Sequence, residues 1–294
     1  MRPDKRTGCL TSYRWQIAKV PLCLLVAVSA LFGFFLASPR YSLQAAGIFL
    51  GVLLLACGAA SLNSYQEYKL DRLLARTRER PLAQGLITPV AALLQARILL
   101  FLGLSVLYLG STGQGPFWIG ALSVVLYNFV YTPLKYRSIW ALLPGALCGA
   151  LPPLIGWLAG RGSIASPVIL SVVVLFAVWQ MPHFWLVVLD NREDYQRGVL
   201  PSMIKLMPER RLRLLSVVWV AALVTIMHLL IIQLNHLPAV SRWGVSISGL
   251  LTGIYFAMKM CAQTRPDYRL LFMLLNGFMF LLIILLSLGS LFGR

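Results

Sequence analysis

Nine stretches of predominantly apolar residues run through the chain, each parted from the next by a short polar or turn-rich segment. They fall at 20–37, 43–62, 90–110, 116–133, 139–159, 167–189, 214–234, 241–260 and 270–291. A helix needs about 20 such residues to cross the hydrocarbon core of a bilayer. In lipid, backbone polar groups are satisfied only within helices or closed barrels. The pattern therefore predicts an all-α membrane protein, with nine transmembrane helices bundled around a central cavity. The first stretch has a basic lead-in, but it is long for a signal peptide and no small-x-small cleavage site comes after it, so it is read as a retained span. Residues 1–294 are read as one polytopic domain, with a tail at 1–19 and polar loops at 63–89 and 190–213.

Composition agrees with the pattern. Hydrophobic residues make up 59% of the chain and charged ones only 12%, and the mean hydropathy is +0.79. These values exclude a soluble domain of this length. The net charge of +17 does not point to nucleic acid, because the basic residues come in short runs between apolar spans rather than on one face. Of the 26 lysines and arginines, 21 fall on one side of the predicted topology and four on the other, with Arg97 inside a span. The positive-inside rule then places the N-terminus in the cytoplasm of a multi-pass protein, expected in a bacterial cytoplasmic (inner) membrane. The five cysteines show no zinc-like spacing, and three lie inside apolar spans, so neither a disulfide nor a structural metal is expected.

All nine acidic residues fall on that same predicted cytoplasmic side. Orientation does not require this, since acidic residues contribute little to topology, so the excess argues for a site. If the second helix continues through Asp71, then Asn63, Glu67 and Asp71 stand one turn apart on one face. Lys69, Arg72, Arg76, Arg78 and Arg80 lie among or just after them. Carboxylates that hold Mg²⁺ through one or two oxygens, beside cations that meet phosphate, are what a metal diphosphate requires. The competing reading is a helix that ends in mixed charge because it has reached water.

A second cluster weighs against that plainer reading. Trp179-Gln180-Met-Pro-His183-Phe-Trp runs on to Asp190-Asn-Arg192-Glu-Asp194 at the end of the sixth span. Asp190 and Asp194 are again one turn apart and suited to share a metal. Spans four and eight end in Tyr131-x-x-x-Lys135 and Tyr255-x-x-x-Lys259, so a four-helix internal repeat competes with chance similarity at helix exits. Lys135 is placed to meet a phosphate, and a positive-inside lysine is the alternative. His183 is an intramembrane ionisable residue and so a functional candidate. Its rival role is a neutral histidine bonded to a neighbouring helix. Gly145-x-x-x-Gly149 and Pro152-Pro153 in the fifth span are read as packing that shapes the cavity.

Taken together these motifs resemble the UbiA superfamily of intramembrane prenyltransferases. The matching residues are Asn63-x-x-x-Glu67-x-x-x-Asp71, Arg76-Thr77 through Arg80-Pro81-Leu82, and Thr88-Pro89. Tyr131-Thr-Pro-Leu-Lys135, Gly149 to Trp157 and Trp179-Gln-x-Pro-His-Phe184 are similar to the haem-farnesylating branch, the haem O synthases. Lys19-Val-Pro21 matches the family's first-helix motif only loosely, and Gly198-Val-Leu-Pro201 shortens a longer family loop. The resemblance implies Mg²⁺ held by Glu67, Asp71, Asp190 and Asp194 on farnesyl diphosphate, with Asn63 as oxygen ligand or orienting donor. Arg76, Arg80, Tyr131, Lys135 and Arg192 would meet the diphosphate, and Trp179, Gln180 and His183 would meet haem B. The alternative within the same family is a quinone precursor or another aromatic acceptor. Haem A synthase or a terminal oxidase is the protein partner the resemblance implies.

Overall fold

The computed structural model describes residues 10–74, 77–111, 113–197, 201–262 and 266–292. Arg76 lies outside the described residues, as do the side chains of Asp194 and Arg197. The helices are α1 (Leu10–Ala18), α2 (Val20–Ala37), α3 (Leu43–Asp71), α4 (Pro89–Leu109) and α5 (Gly115–Val124). A π-helical segment (Val125–Tyr131) continues α5 into α6 (Thr132–Leu134), and a single 3₁₀ turn leads into α7 (Leu142–Ala159). Next come α8 (Pro167–Asp190), α9 (Arg192–Arg197), α10 (Met203–Leu206), α11 (Glu209–Gln233), α12 (Ala239–Ala262) and α13 (Tyr268–Phe292). Among the described residues there are no strands, and nine helical segments are long and apolar enough to cross a membrane.

Local chemistry sets where the helices begin. Thr88 accepts from the Ala91 amide and Pro89 fills the first helical position of α4, while Ser42 caps α3 in the same way. Such side-chain caps satisfy amides that the first turn leaves unpaired. At 1.5 Å per residue α3 is about 43 Å long, well beyond the roughly 30 Å of a hydrocarbon core. Its last turns, which carry Asn63, Glu67 and Asp71, therefore stand proud of the apolar layer. The seventh span begins earlier than its hydropathy predicts, so Arg210, Arg211 and Arg213 are helical within α11 rather than loop residues.

Glycine brings α2 and α7 into backbone contact. A Cβ built on Gly156 would lie 1.8 Å from the Ala30 carbonyl oxygen, and one on Gly33 would lie 1.9 Å from that of Pro153. From this crossing the helices spread in two directions. The chain α2, α3, α4 and α5 packs in sequence and returns to α7; α7 then packs on α8, α8 on α11 and α13, and α13 returns to α2. Exposed Trp15 and Trp140 mark the charged end of the bundle, and exposed Trp118 and Trp243 the opposite end. Two such belts are the signature of membrane interfaces. Since successive spans alternate in direction, α3 and α8 both run toward the charged end.

Candidate active site

The buried polar residues cluster where α3 ends. Asn63, Glu67 and Asp71 share one face, with Glu67 2% and Asp71 4% exposed. Carboxylates sealed from water this far require charged or hydrogen-bonding partners. They have them. Arg80 Nη1 donates to both Asp71 oxygens at 3.0 and 2.9 Å, and lies 3.7 Å from Glu67. Lys135 forms an ion pair with Glu67 from the other side. The Tyr136 ring lies beside the same lysine, 5.1 Å from its ammonium. Burial, with the charge of Glu67 and Asp71, pushes the Tyr136 phenol well above its usual range, so it stays a donor.

Asn63 ties a second layer to this pair. Its amide nitrogen donates to Glu67 at 2.5 Å and to Thr132 Oγ1 at 3.1 Å, while its oxygen accepts from Lys19 Nζ at 2.9 Å. All of its nearby polar valences are committed, so it orients Glu67 rather than standing free. Thr132 is aimed by the π-helical segment, since its hydroxyl bonds back to the Tyr127 carbonyl at 2.8 Å. A π-turn inserts a residue and rotates the residues beyond it, and such turns recur at functional sites. Here the rotation carries Tyr131, Thr132 and Lys135 toward α3.

Lys19 is held with backbone strain. It is the residue between α1 and α2, with φ 51° and ψ 44°. A left-handed conformation costs a non-glycine residue about 1–2 kcal/mol, so the surroundings must impose it. Ser64 of α3 bonds the Ile17 carbonyl at 3.0 Å, and Gln95 of α4 bonds the Arg14 carbonyl at 3.1 Å. These contacts pin α1 and turn the lysine inward. Burial, followed by the nearby Arg80 charge, lowers its ammonium to about 8, against the opposing pull of Glu67.

The loop after α3 folds over the same site. Leu82 and Ile87 pack with Ile17 and Ala92, and Thr77 Oγ1 donates to the Asp71 carbonyl at 3.1 Å. Arg72 is spent on structure, bonding the Ala83 carbonyl at 2.9 Å and covering the Tyr68 ring. Lys69 and Arg78 are exposed.

The second acidic cluster is built differently. Asp190 is exposed at the end of α8, in a surface recess lined with Asn191, Arg192 and Glu193. Arg192 bonds Glu209 at 2.7 Å, and Tyr268 donates to the same carboxylate. In this structure Arg192 therefore faces α11 and α13 rather than the α3 carboxylates. Among the described residues no three carboxylates, imidazoles or thiols gather to hold a metal.

Aromatic contacts nevertheless join α8 to the α3 site. Lys135 sits over the Tyr131 ring at 5.8 Å, Tyr131 meets Phe184 at 6.4 Å, and Phe184 meets His183 at 5.7 Å. Gly145 makes room for this contact, because a Cβ there would lie 3.0 Å from the Tyr131 ring. Gly149 likewise accommodates Gln180, whose amide nitrogen would be 2.3 Å from a Cβ. His183 bonds Asn276 of α13 at 2.9 Å and packs on Trp179 and Phe272.

The donor set suits a hard cation. Two carboxylates on successive turns, currently neutralised by flexible cationic side chains, match the one or two carboxylates by which Mg²⁺ is usually held, the rest of its shell being phosphate and water. Three cations, Lys19, Arg80 and Lys135, surround two acids. The pocket is thus net positive and ready for an anion.

The sequence pattern of the UbiA prenyltransferase family matches residues 26–284. The chain belongs to that family. It is 35% identical over 254 residues to a protoheme IX farnesyltransferase of Nitratidesulfovibrio vulgaris, an overlap of 86% of this chain and 85% of the relative. A protoheme IX farnesyltransferase of Geobacter sulfurreducens is 42% identical over 151 residues, 51% of this chain and 55% of the relative. Among solved structures, one reported for digeranylgeranylglyceryl phosphate synthase in membranes superposes with a TM-score of 0.74 at 17% identity, covering 96% of this chain and 98% of that one. A UbiA homolog from Archaeoglobus fulgidus bound to GPP and Mg²⁺ gives 0.70 at 14% identity, covering 95% and 99%. The protein is a multi-pass membrane prenyltransferase with the UbiA fold.

Of the residues around Asn63 and Glu67, Lys19 and Thr132 stand within sequence motifs that assign them no role, and Tyr136 stands outside those motifs. Beside the loose match of Lys19-Val-Pro21, the sequence signal for Lys19 is the helix-starting proline two residues on.

Proposed function

We propose that the protein transfers the farnesyl group of farnesyl diphosphate to a vinyl group of haem B, giving haem O and diphosphate, in a Mg²⁺-dependent reaction at the cytoplasmic face of a bacterial inner membrane. What carries the reading is the buried cradle of Glu67, Asp71, Arg80, Lys135 and Lys19 in a chain whose relatives are named for that reaction. Glu67 and Asp71, aided by Asp190 and Asp194, would hold Mg²⁺, which supplies positive charge against a leaving diphosphate. With their carboxylate partners so engaged, Arg80 and Lys135 are free to turn to the diphosphate oxygens. Lys19 stays anchored on Asn63 and adds its charge, and Arg76 and Arg192 extend the set along the cytoplasmic loops. Preorganised cations of this kind stabilise the charge that develops as the carbon–oxygen bond breaks.

The remaining allylic carbocation faces Tyr131, Phe184 and Trp179. Aromatic faces attract cations, and this wall keeps water from the farnesyl carbon. The terminal carbon of the vinyl group then forms the new bond to it. The positive charge moves to the carbon beside the porphyrin ring, where one water adds and loses a proton to leave the hydroxyl. The test is incubation of purified protein with farnesyl diphosphate, Mg²⁺ and equal haem B and 4-hydroxybenzoate. The farnesyl mass is expected on haem alone. Appearance on the hydroxybenzoate would replace this reading with a quinone-precursor transferase.

A further inference from the structure

Resting on the haem reading above, we infer that Asn276 fixes the tautomer of His183 so that its Nε2 ligates the iron of the metalloporphyrin acceptor. The hydrogen bonds assign the proton. Asn276 Nδ2 donates to the Phe272 carbonyl at 2.7 Å, an atom that can only accept. That fixes the orientation of the amide and leaves Oδ1, 2.9 Å from His183 Nδ1, as the atom facing the imidazole. Oδ1 is an acceptor, so Nδ1 carries the hydrogen and Nε2 keeps its lone pair. Among the described residues no group bonds to Nε2.

A histidine that donates from one ring nitrogen to an oxygen while the other stays open is the arrangement found at metal centres, where the outer partner sets tautomer, orientation and basicity. The surroundings fit a flat aromatic macrocycle. Trp179, Phe184 and Phe272 stand around the imidazole with ring centroids at 5.1, 5.7 and 4.8 Å. Trp179, one turn from His183, has a buried indole N–H with no partner. It is a second open valence on the same face, available to an acceptor atom of the ligand.

Depth fits too. His183 lies seven residues, about 10 Å, before the end of α8, and Glu67 lies four residues, about 6 Å, before the end of α3. An iron at His183 would hold the porphyrin about one helical turn deeper than Glu67, joined to the diphosphate cradle through Phe184 and Tyr131. Asn276 is a positioning residue in this scheme, and His183 is the residue that touches the substrate.

The test titrates the full chain in lipid nanodiscs with ferric iron protoporphyrin IX, without farnesyl diphosphate, and reads the optical and electron paramagnetic resonance spectra. The wild type is expected to show a histidine-ligated iron that is lost in His183→Ala. Metal-free protoporphyrin IX is expected to bind the wild type at least about tenfold more weakly than the iron form, and to bind His183→Ala and wild type equally. Asn276→Asp should retain the ligated spectrum and lower the reduction potential of the bound iron, because a carboxylate makes the imidazole more electron-rich. Asn276→Leu should give a mixed or unligated spectrum at an unchanged melting temperature. Identical spectra for wild type and His183→Ala overturn the ligation, and an unchanged potential in Asn276→Asp overturns the positioning role. Farnesyl transfer to haem with no change of spectrum in His183→Ala would defeat this inference and leave the proposed function standing. A ligated iron without farnesyl transfer would do the reverse.

Discussion

The two halves of the bundle use the same local vocabulary to different ends. Spans four and eight both finish in Tyr-x-x-x-Lys, and in both the lysine ammonium lies over the tyrosine ring, at 5.8 Å for Lys135 and 5.4 Å for Lys259. Yet Lys135 reaches a buried carboxylate, whereas Lys259 makes no ion pair among the described residues. The acidic turns differ in the same sense. Glu67 and Asp71 are sealed and paired, while Asp190 is exposed. The difference comes from what packs against each helix end. α1 and the loop of Leu82 and Ile87 close over the first, and α9 and α10 leave the second open.

A repeated sequence motif thus marks where charge is wanted, while the neighbouring elements decide whether that charge is held ready or left for a ligand to gather. On the proposed function, the first half is a standing anion site and the second an arm that engages with metal and diphosphate. The largest test of this contrast is Asp71→Asn. Turnover is expected to fall at least about a hundredfold, with the melting temperature little changed, because the stranded Arg80 is partly exposed and can turn to water. More than half of the wild-type rate would show that the closed half is not the metal site. The measurement is a farnesyl-transfer rate beside a thermal melt.

Next in size is Lys19→Met. Removing its positive charge from beside the diphosphate should raise KM for farnesyl diphosphate about tenfold while leaving kcat within about threefold. Lys19→Gly sharpens the point. It relieves the left-handed strain and so should melt no lower than Lys19→Met, yet it should bind substrate as poorly. Steady-state kinetics and melts of the pair separate charge from conformation, and equal kinetics for wild type and Lys19→Gly would remove Lys19 from the site.

The smallest effect belongs to the open half. Arg192 and Glu209 form a part-exposed ion pair, of a kind worth up to about 1 kcal/mol. Glu209→Gln should therefore lower the melting temperature by a few degrees at most and spare turnover, since it frees Arg192 for the diphosphate. Arg192→Ala should cost similar stability and also raise KM. If Glu209→Gln and Arg192→Ala behave alike in kinetics, Arg192 is a strut and no part of the substrate site.

Much of the fold is legible in the sequence because hydropathy over 20 residues is a local property. The nine spans fall within a few residues of the helices except where charge ends the hydropathy window: α3 runs nine residues past its predicted span, so 63–71 are helix rather than loop, and α11 starts five residues early, where Arg210 and Arg211 hide the helix. The face shared by Asn63, Glu67 and Asp71 is legible for the same reason, since helical spacing fixes it. What the sequence conceals is every contact made at long range. Lys19 reaches Asn63 across 44 residues, His183 reaches Asn276 across 93, and Tyr268 reaches Glu209 across 59. The π-turn before Tyr131 is hidden as well, because an inserted backbone residue leaves no mark on composition.

On the proposed function, the tips of α3 and α8 serve one diphosphate. Calorimetric titration of an unreactive farnesyl thiodiphosphate, with Mg²⁺, into wild type, Asp71→Asn, Asp190→Asn and the double variant decides whether they do. If both acids act on one bound complex, each single change weakens binding about tenfold and the double variant falls well short of the roughly hundredfold loss expected of independent sites. Losses that multiply in full, or an Asp190→Asn variant that binds like the wild type, would contradict it.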